Sequence, residues 1–127
     1  MEEQIGMKQS TIDGDDDSDR PSSIVQVSVV DLKEMMASGT VYELVDVRTD
    51  VERSIARVEE FRLLDQKYHD QLCGSAKDMP MIFLCHHGIR SQHAAEYFRQ
   101  NGFRNLYNVQ GGIDAWSQLV DPTVPRY

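Results

Sequence analysis

Cysteine is scarce in this chain of 127 residues: there are two, Cys73 and Cys85, twelve positions apart. That count and spacing exclude a disulfide scaffold, a Cys-x-x-Cys pair and a cysteine-rich zinc site. Long apolar runs are also missing, and none approaches the roughly 18–20 residues of a membrane helix. Met1 to Ser10 holds no basic region followed by an apolar stretch, so no secretory signal is expected. A reducing cytoplasm is then the expected location, with both cysteines present as thiols and no membrane partner. Positive charge is short as well, with 13 bases against 21 acids and a net −8. Such a surface repels a phosphate backbone and excludes general nucleic-acid binding.

What is present fits one domain with a real core: 40% of residues are hydrophobic and 27% charged. The charge is uneven. Residues 1–22 hold seven acids and two bases, −5 of the −8. The stretch from Asp13 to Ser23 lacks any large apolar residue and cannot offset its ordering entropy. Residues 1–22 therefore read as a disordered acidic leader, and residues 23–127 as the folded domain.

Strand and helix signals alternate along that domain. Ile24 to Val30 reads as a strand and Asp31 to Ser38 as a short helix, capped by Ser28 or Asp31. Val41 to Val47 is a second strand. Thr49 caps a helix with Glu52 at the capping-box position. Phe61 to Leu64 reads as a short strand and Gln66 to Leu72 as a weak helix. Met81 to Cys85, continuously apolar after Pro80, suits a central strand buried on both faces. Ser91 to Asn101 follows as a helix with Ala94, Ala95 and Phe98 as its buried stripe. Asn105 to Gln110 is the last strand, and Ile113 to Val120 a last helix with Trp116 on its inner face. The alternation predicts an α/β fold, a parallel five-stranded sheet with helices on both faces.

The chemistry concentrates in Cys85-His86-His87-Gly88-Ile89-Arg90-Ser91, between the buried strand and the next helix. In open α/β sheets, ligands bind beyond the carboxyl ends of the strands. A loop running into a helix N-terminus presents unpaired amides that favour an anion and lower a thiol's pKa. Gly88 permits a tight turn in which successive amides face inward, and Arg90 adds a planar cationic fork. Four residues separate Cys85 from Arg90. Cysteine-dependent phosphatases place five there, around a tetrahedral phosphoryl group. The shorter cradle suits a smaller target, such as one added sulfur atom.

Cys85-x-x-Gly88-x-Arg90-Ser91 is followed by Gly102-Phe103, by Asn105-Leu106-Tyr107 and by the run Gly111 to Trp116. Together with Leu44-Val45-Asp46-Val47-Arg48 upstream, this pattern resembles the rhodanese family of single-domain sulfurtransferases across residues 26–120. The segment Val120 to Tyr127 and the Cys-His-His loop resemble rhodanese domains attached to monothiol glutaredoxins. The resemblance implies a rhodanese-like fold and transfer of a sulfane sulfur from thiosulfate or a persulfide to a thiol or cyanide. The carrier would be a Cys85 persulfide, held by the amides of residues 86–91, with Arg90 orienting a small anionic donor. It implies no metal or organic cofactor, and a thiol acceptor such as a glutaredoxin or another thiol protein. Either a monomer or a homodimer is compatible. The chain departs from the family at Ala56-Arg57-Val58-Glu59-Glu60, where many members carry a His and a Gly.

Each of these residues also has a plainer reading. Cys85 could be a buried structural thiol, although its loop context favours a nucleophile. His86 and His87 read as loop-surface or hydrogen-bonding groups, since two neighbouring histidines alone cannot form a zinc site. Arg90 reads equally as an anion-orienting group and as a structural ion pair. Asp46 and Arg48 read as a charge pair shaping the pocket. Cys73 reads as an uninvolved thiol. The alternative function is a non-catalytic rhodanese module for partner binding or for redox and sulfur sensing. A phosphatase or arsenate reductase is disfavoured by the short loop.

Overall fold

Met81, Ile82, Phe83 and Leu84 are all fully buried. A strand that is apolar on both faces needs cover on both sides, and the chain supplies it. The computed structural model describes residues 23–127; the expected acidic leader, residues 1–22, lies outside them. In chain order the elements are β1 (Val25–Val27), α1 (Val29–Ala37), β2 (Glu43–Asp46), α2 (Asp50–Ile55) and β3 (Arg62–Leu63). Then come α3 (Gln66–Cys73), β4 (Met81–Leu84), α4 (Ile89–Gln100), β5 (Leu106–Val109) and α5 (Gly112–Leu119). The strands form one parallel five-stranded sheet in the order β1-β5-β4-β2-β3, with β4 in the centre.

The alternation of side chains along β4 divides the interior in two. Ile82 and Leu84 join Leu32 of α1 with Ile113 and Trp116 of α5 on one face. Met81 and Phe83 join Tyr68 and Leu72 of α3 with Ala95 and Phe98 of α4 on the other. All four phenylalanines, Phe61, Phe83, Phe98 and Phe103, are buried. Burying each contributes about 1.5–3 kcal/mol to holding the sheet and helices together. No helix among the described residues is long and apolar enough to cross a membrane.

Among the boundaries that differ from the sequence pattern, two have a clear local cause. The β-branched run Ile24 to Val30 predicts one strand, yet the strand ends at Val27 and Val29 already begins α1. Ser28 causes the break: its side chain accepts a hydrogen bond from the Asp31 amide and starts the helix, so a local cap overrides β propensity. Helix α4 begins at Ile89, two residues earlier than expected, because Gly88 takes a left-handed conformation (φ 102°) directly before it. Arg90 therefore lies in the first helical turn rather than in the loop, next to Ser91.

Candidate active site

Cys85 follows the last residue of the central strand, and its loop is fixed from both sides. On one side, α5 donates to the loop's carbonyls: Ile113 N–H to Cys85 O at 2.9 Å and Asp114 N–H to His86 O at 3.1 Å. A Cβ on Gly112 would collide with those same two carbonyl oxygens, so only glycine allows this approach. With these two carbonyls turned to α5, loop amides face the sulfur. Gly88 N–H donates to Cys85 Sγ at 3.1 Å.

The thiol is almost wholly enclosed, with Cys85 only 1% exposed. Burial alone would push its pKa up. The hydrogen bond with the Ser91 side chain and those from the amides of Ser91, Gly88 and His87 outweigh that, and the net direction is down. Ser91 Oγ lies 3.2 Å from the sulfur and donates to Asn108 Oδ1 at 2.5 Å. Asn108 in turn donates to Gly88 O at 3.1 Å.

Arg90, His86 and His87 surround this core differently. Arg90 is held by Glu52, Nη1 to Oε1 and Nη2 to Oε2, both at 2.8 Å. That pairing raises the Arg90 pKa and holds the Glu52 carboxyl far below its usual range. The His86 ring lies between the rings of His87 and Tyr127, with centroids 3.9 Å away on each side. Its Nε2 is buried without a hydrogen-bond partner among the described residues. The Ile89 side chain is exposed.

Asp46 and Arg48 form the expected charge pair, with both side chains fully buried and Nη2 to Oδ2 at 2.8 Å. Arg53 adds a second cation at 2.9 Å from Asp46 Oδ2. The Tyr127 hydroxyl links this group to the Arg90 pair. It accepts from Arg48 Nη1 at 2.9 Å and donates to Glu52 Oε2 at 2.8 Å.

Ligand-type atoms of His86, His87 and Asp114 fall within 4.8 Å of one another. Asp114 is already engaged there, by Arg126 at 2.9 Å and by Gln118 at 2.9 Å. Cys73 is exposed at the end of α3, where its Sγ lies 3.6 Å from His69 Nε2 and makes no hydrogen bond to Cys85.

Sequence reasoning missed three contributors. Asn108 gave no signal: it read only as one residue of the last strand, Asn105 to Gln110, and no local pattern shows which groups its amide reaches. Glu52 was visible as a cap but not as the partner of Arg90, 38 positions away. Tyr127 stood in a segment whose path along the site no local pattern reveals.

The rhodanese-like domain family matches this chain over residues 28–119. The thiosulfate sulfurtransferase GlpE of Shewanella oneidensis is 32% identical over 98 residues, covering 76% of this chain and 96% of that protein. The GlpE of Ectopseudomonas mendocina is 31% identical over 96 residues, with 75% and 86% covered. Among solved structures, a rhodanese-like domain protein from Staphylococcus aureus shares the fold with a TM-score of 0.65. It is 27% identical and covers 82% of this chain and 99% of that one.

Proposed function

The chain belongs to the rhodanese-like family, and from that membership we propose a persulfide mechanism carried by Cys85. The protein is a sulfurtransferase enzyme: it takes a sulfane sulfur from a small donor and passes it to a thiol or to cyanide. The observation that carries the assignment to Cys85 is the amide-ringed thiol of lowered pKa at the carboxyl end of the central strand.

In the first half-reaction the Cys85 thiolate attacks the outer sulfur of thiosulfate. The sulfur–sulfur bond of the donor breaks, sulfite leaves with its electron pair, and Cys85 becomes a persulfide. In the second, an acceptor thiolate or cyanide attacks the terminal sulfur. The Cys85 S–S bond breaks and the thiolate returns. The Gly88 N–H, which already donates to the sulfur, stabilises each anionic state together with the neighbouring amides of His87 and Ser91. The enclosure of Cys85 suits a donor that presents one protruding sulfur atom and disfavours a tetrahedral phosphoryl group.

Residues 86–91 are the donor-binding loop in this reading, with Arg90 supplying positive charge at its rim and Asp46 with Arg48 shaping its floor. The acceptor is a cysteine thiol of a partner such as a glutaredoxin, and the location is the reducing cytoplasm, which keeps Cys73 and Cys85 as thiols. All steps use groups of this chain and the two substrates. Thiocyanate formation from thiosulfate and cyanide tests the assignment. Cys85→Ser should abolish it while Cys73→Ser retains it; turnover that survives in Cys85→Ser would contradict it.

A further inference from the structure

Ser91 has one proton, and two neighbours compete for it. Its hydroxyl lies 3.2 Å from Cys85 Sγ and 2.5 Å from Asn108 Oδ1. The three residues are buried, with Cys85 at 1%, Ser91 at 0% and Asn108 at 3% exposure, so bulk water does not settle the competition.

The orientation of the Asn108 amide settles it. Its Nδ2 donates to the backbone oxygen of Gly88 at 3.1 Å and to Gln26 Oε1 at 2.8 Å. Gln26 is fixed in turn by donating Nε2 to Gln92 Oε1 at 2.6 Å. A flipped Asn108 amide would set its oxygen against the Gly88 carbonyl, an acceptor that cannot donate. Asn108 Oδ1 therefore faces Ser91 and draws the hydroxyl proton away from the sulfur. In the resting thiol, Cys85 S–H donates to Ser91, and Ser91 donates to Asn108. When the thiol ionises, Ser91 must turn its proton to the sulfur and give up Asn108.

We propose that Asn108 is a positioning residue that aims the Ser91 hydroxyl and thereby sets the pH at which Cys85 ionises. This rests on the reading of Cys85 as the nucleophile. Asn108 touches no reacting atom; it acts through Ser91. It opposes ionisation modestly, so that the thiolate forms with Ser91 rotation instead of being present at rest. The charged and titratable groups around Cys85 and Asn108 are His86, His87 and Arg90 on the loop and first helical turn, His93 on α4, which lines the same cleft as Asn108, Asp46 and Arg48 at the end of β2, Glu52 on α2 and Asp114 on α5. None of them hydrogen-bonds to the Asn108 side chain, whose partners are Ser91, Gln26 and the Gly88 carbonyl, so replacing Asn108 leaves their charges in place.

The test is the pH dependence of Cys85 alkylation by iodoacetamide, read peptide by peptide by mass spectrometry. Asn108→Leu releases the Ser91 proton to the sulfur and should lower the midpoint by about one pH unit, a tenfold gain in thiolate below it. Asn108→Val, suited to a strand, gives the same reading if the leucine variant melts early by circular dichroism. In a Ser91→Ala background either replacement should leave the midpoint where Ser91→Ala alone puts it. An unchanged midpoint in Asn108→Leu or Asn108→Val overturns the proposal. So does a shift that persists without Ser91, since it would mean that Asn108 acts through the loop backbone. The readout needs no sulfur donor: loss of the persulfide mechanism would show as absent sulfur transfer with the midpoint shift intact.

Discussion

Arg90 and Glu52 meet end to end through two parallel hydrogen bonds, each 2.8 Å long. The same Glu52 carboxylate accepts from the Thr49 amide in the capping box of α2 and from the Tyr127 hydroxyl. One side chain thus ties the first turn of α4 to the start of α2 and to the segment that follows α5. In the resting site Arg90 is a tie between helices as well as the rim charge of the loop.

That tie makes stability depend on acid. The hydrogen bond from Arg90 is the largest cause holding the folded Glu52 carboxyl far below its usual range. A carboxyl depressed in the folded state stabilises fully above its unfolded pKa, about 4.3, and loses that contribution as pH falls toward the folded value. Glu52→Gln keeps the capping geometry and removes the charge. Urea unfolding should show Glu52→Gln less stable than wild type at pH 7, with the gap narrowing steadily below about pH 4.3. A gap that is constant with pH would contradict the pairing.

Asp46 serves two guanidinium groups, Arg48 and Arg53, and its side chain is fully buried. Asp46→Asn removes the carboxylate while the Arg48 side chain stays enclosed. Stranding a buried charge costs about 3–5 kcal/mol, so chemical denaturation should show a loss of that order. A loss below about 1 kcal/mol would place the pair in the class of exposed ion pairs.

Gly112 and Gly39 both have positive φ, 60° and 85°, but differ in surroundings. A Cβ at Gly39 meets nothing within 4 Å, whereas one at Gly112 meets the carbonyl oxygens of Cys85 and His86. Gly39→Ala should cost only the left-handed backbone penalty, about 1–2 kcal/mol, and leave sulfur transfer unchanged. Gly112→Ala should displace the loop and lower kcat more than tenfold. Equal kinetics in the two variants would show that α5 does not hold the loop in place.

Much of this arrangement was legible in the sequence because its signals are local. The apolar run Met81 to Cys85 marked a doubly covered strand, Thr49 with Glu52 marked a capping box, and the Cys85 to Ser91 loop marked the chemistry. What stayed hidden depends on contacts between distant positions. Asn108 reaches Gly88 across 20 positions, and Tyr127 reaches Arg48 across 79. No periodicity encodes such pairs. The early start of α1 was half legible: Ser28 was one of two candidate caps, but Val29 and Val30 favour strand, and only the Ser28 cap reverses that preference.

The lowered pKa of Cys85 has a kinetic consequence. Sulfur transfer limited by thiolate attack should rise with pH to a plateau, with its midpoint below the value near 8.5 of an unperturbed cysteine. Ser91→Ala removes the side chain whose hydrogen bond contributes most to the lowering and should move the midpoint up. A midpoint at or above 8.5 in wild type would contradict the amide ring as a stabiliser of the anion.

The central claim is that Cys85 carries the sulfur, and intact-mass spectrometry without reductant tests it most directly. Wild type, Cys73→Ser and Cys85→Ser are each exposed to thiosulfate and weighed. The account predicts one added sulfur atom on wild type and Cys73→Ser, lost on adding cyanide, and none on Cys85→Ser. Sulfur addition to Cys85→Ser, or no addition to wild type with its thiol shown to be free, would contradict it.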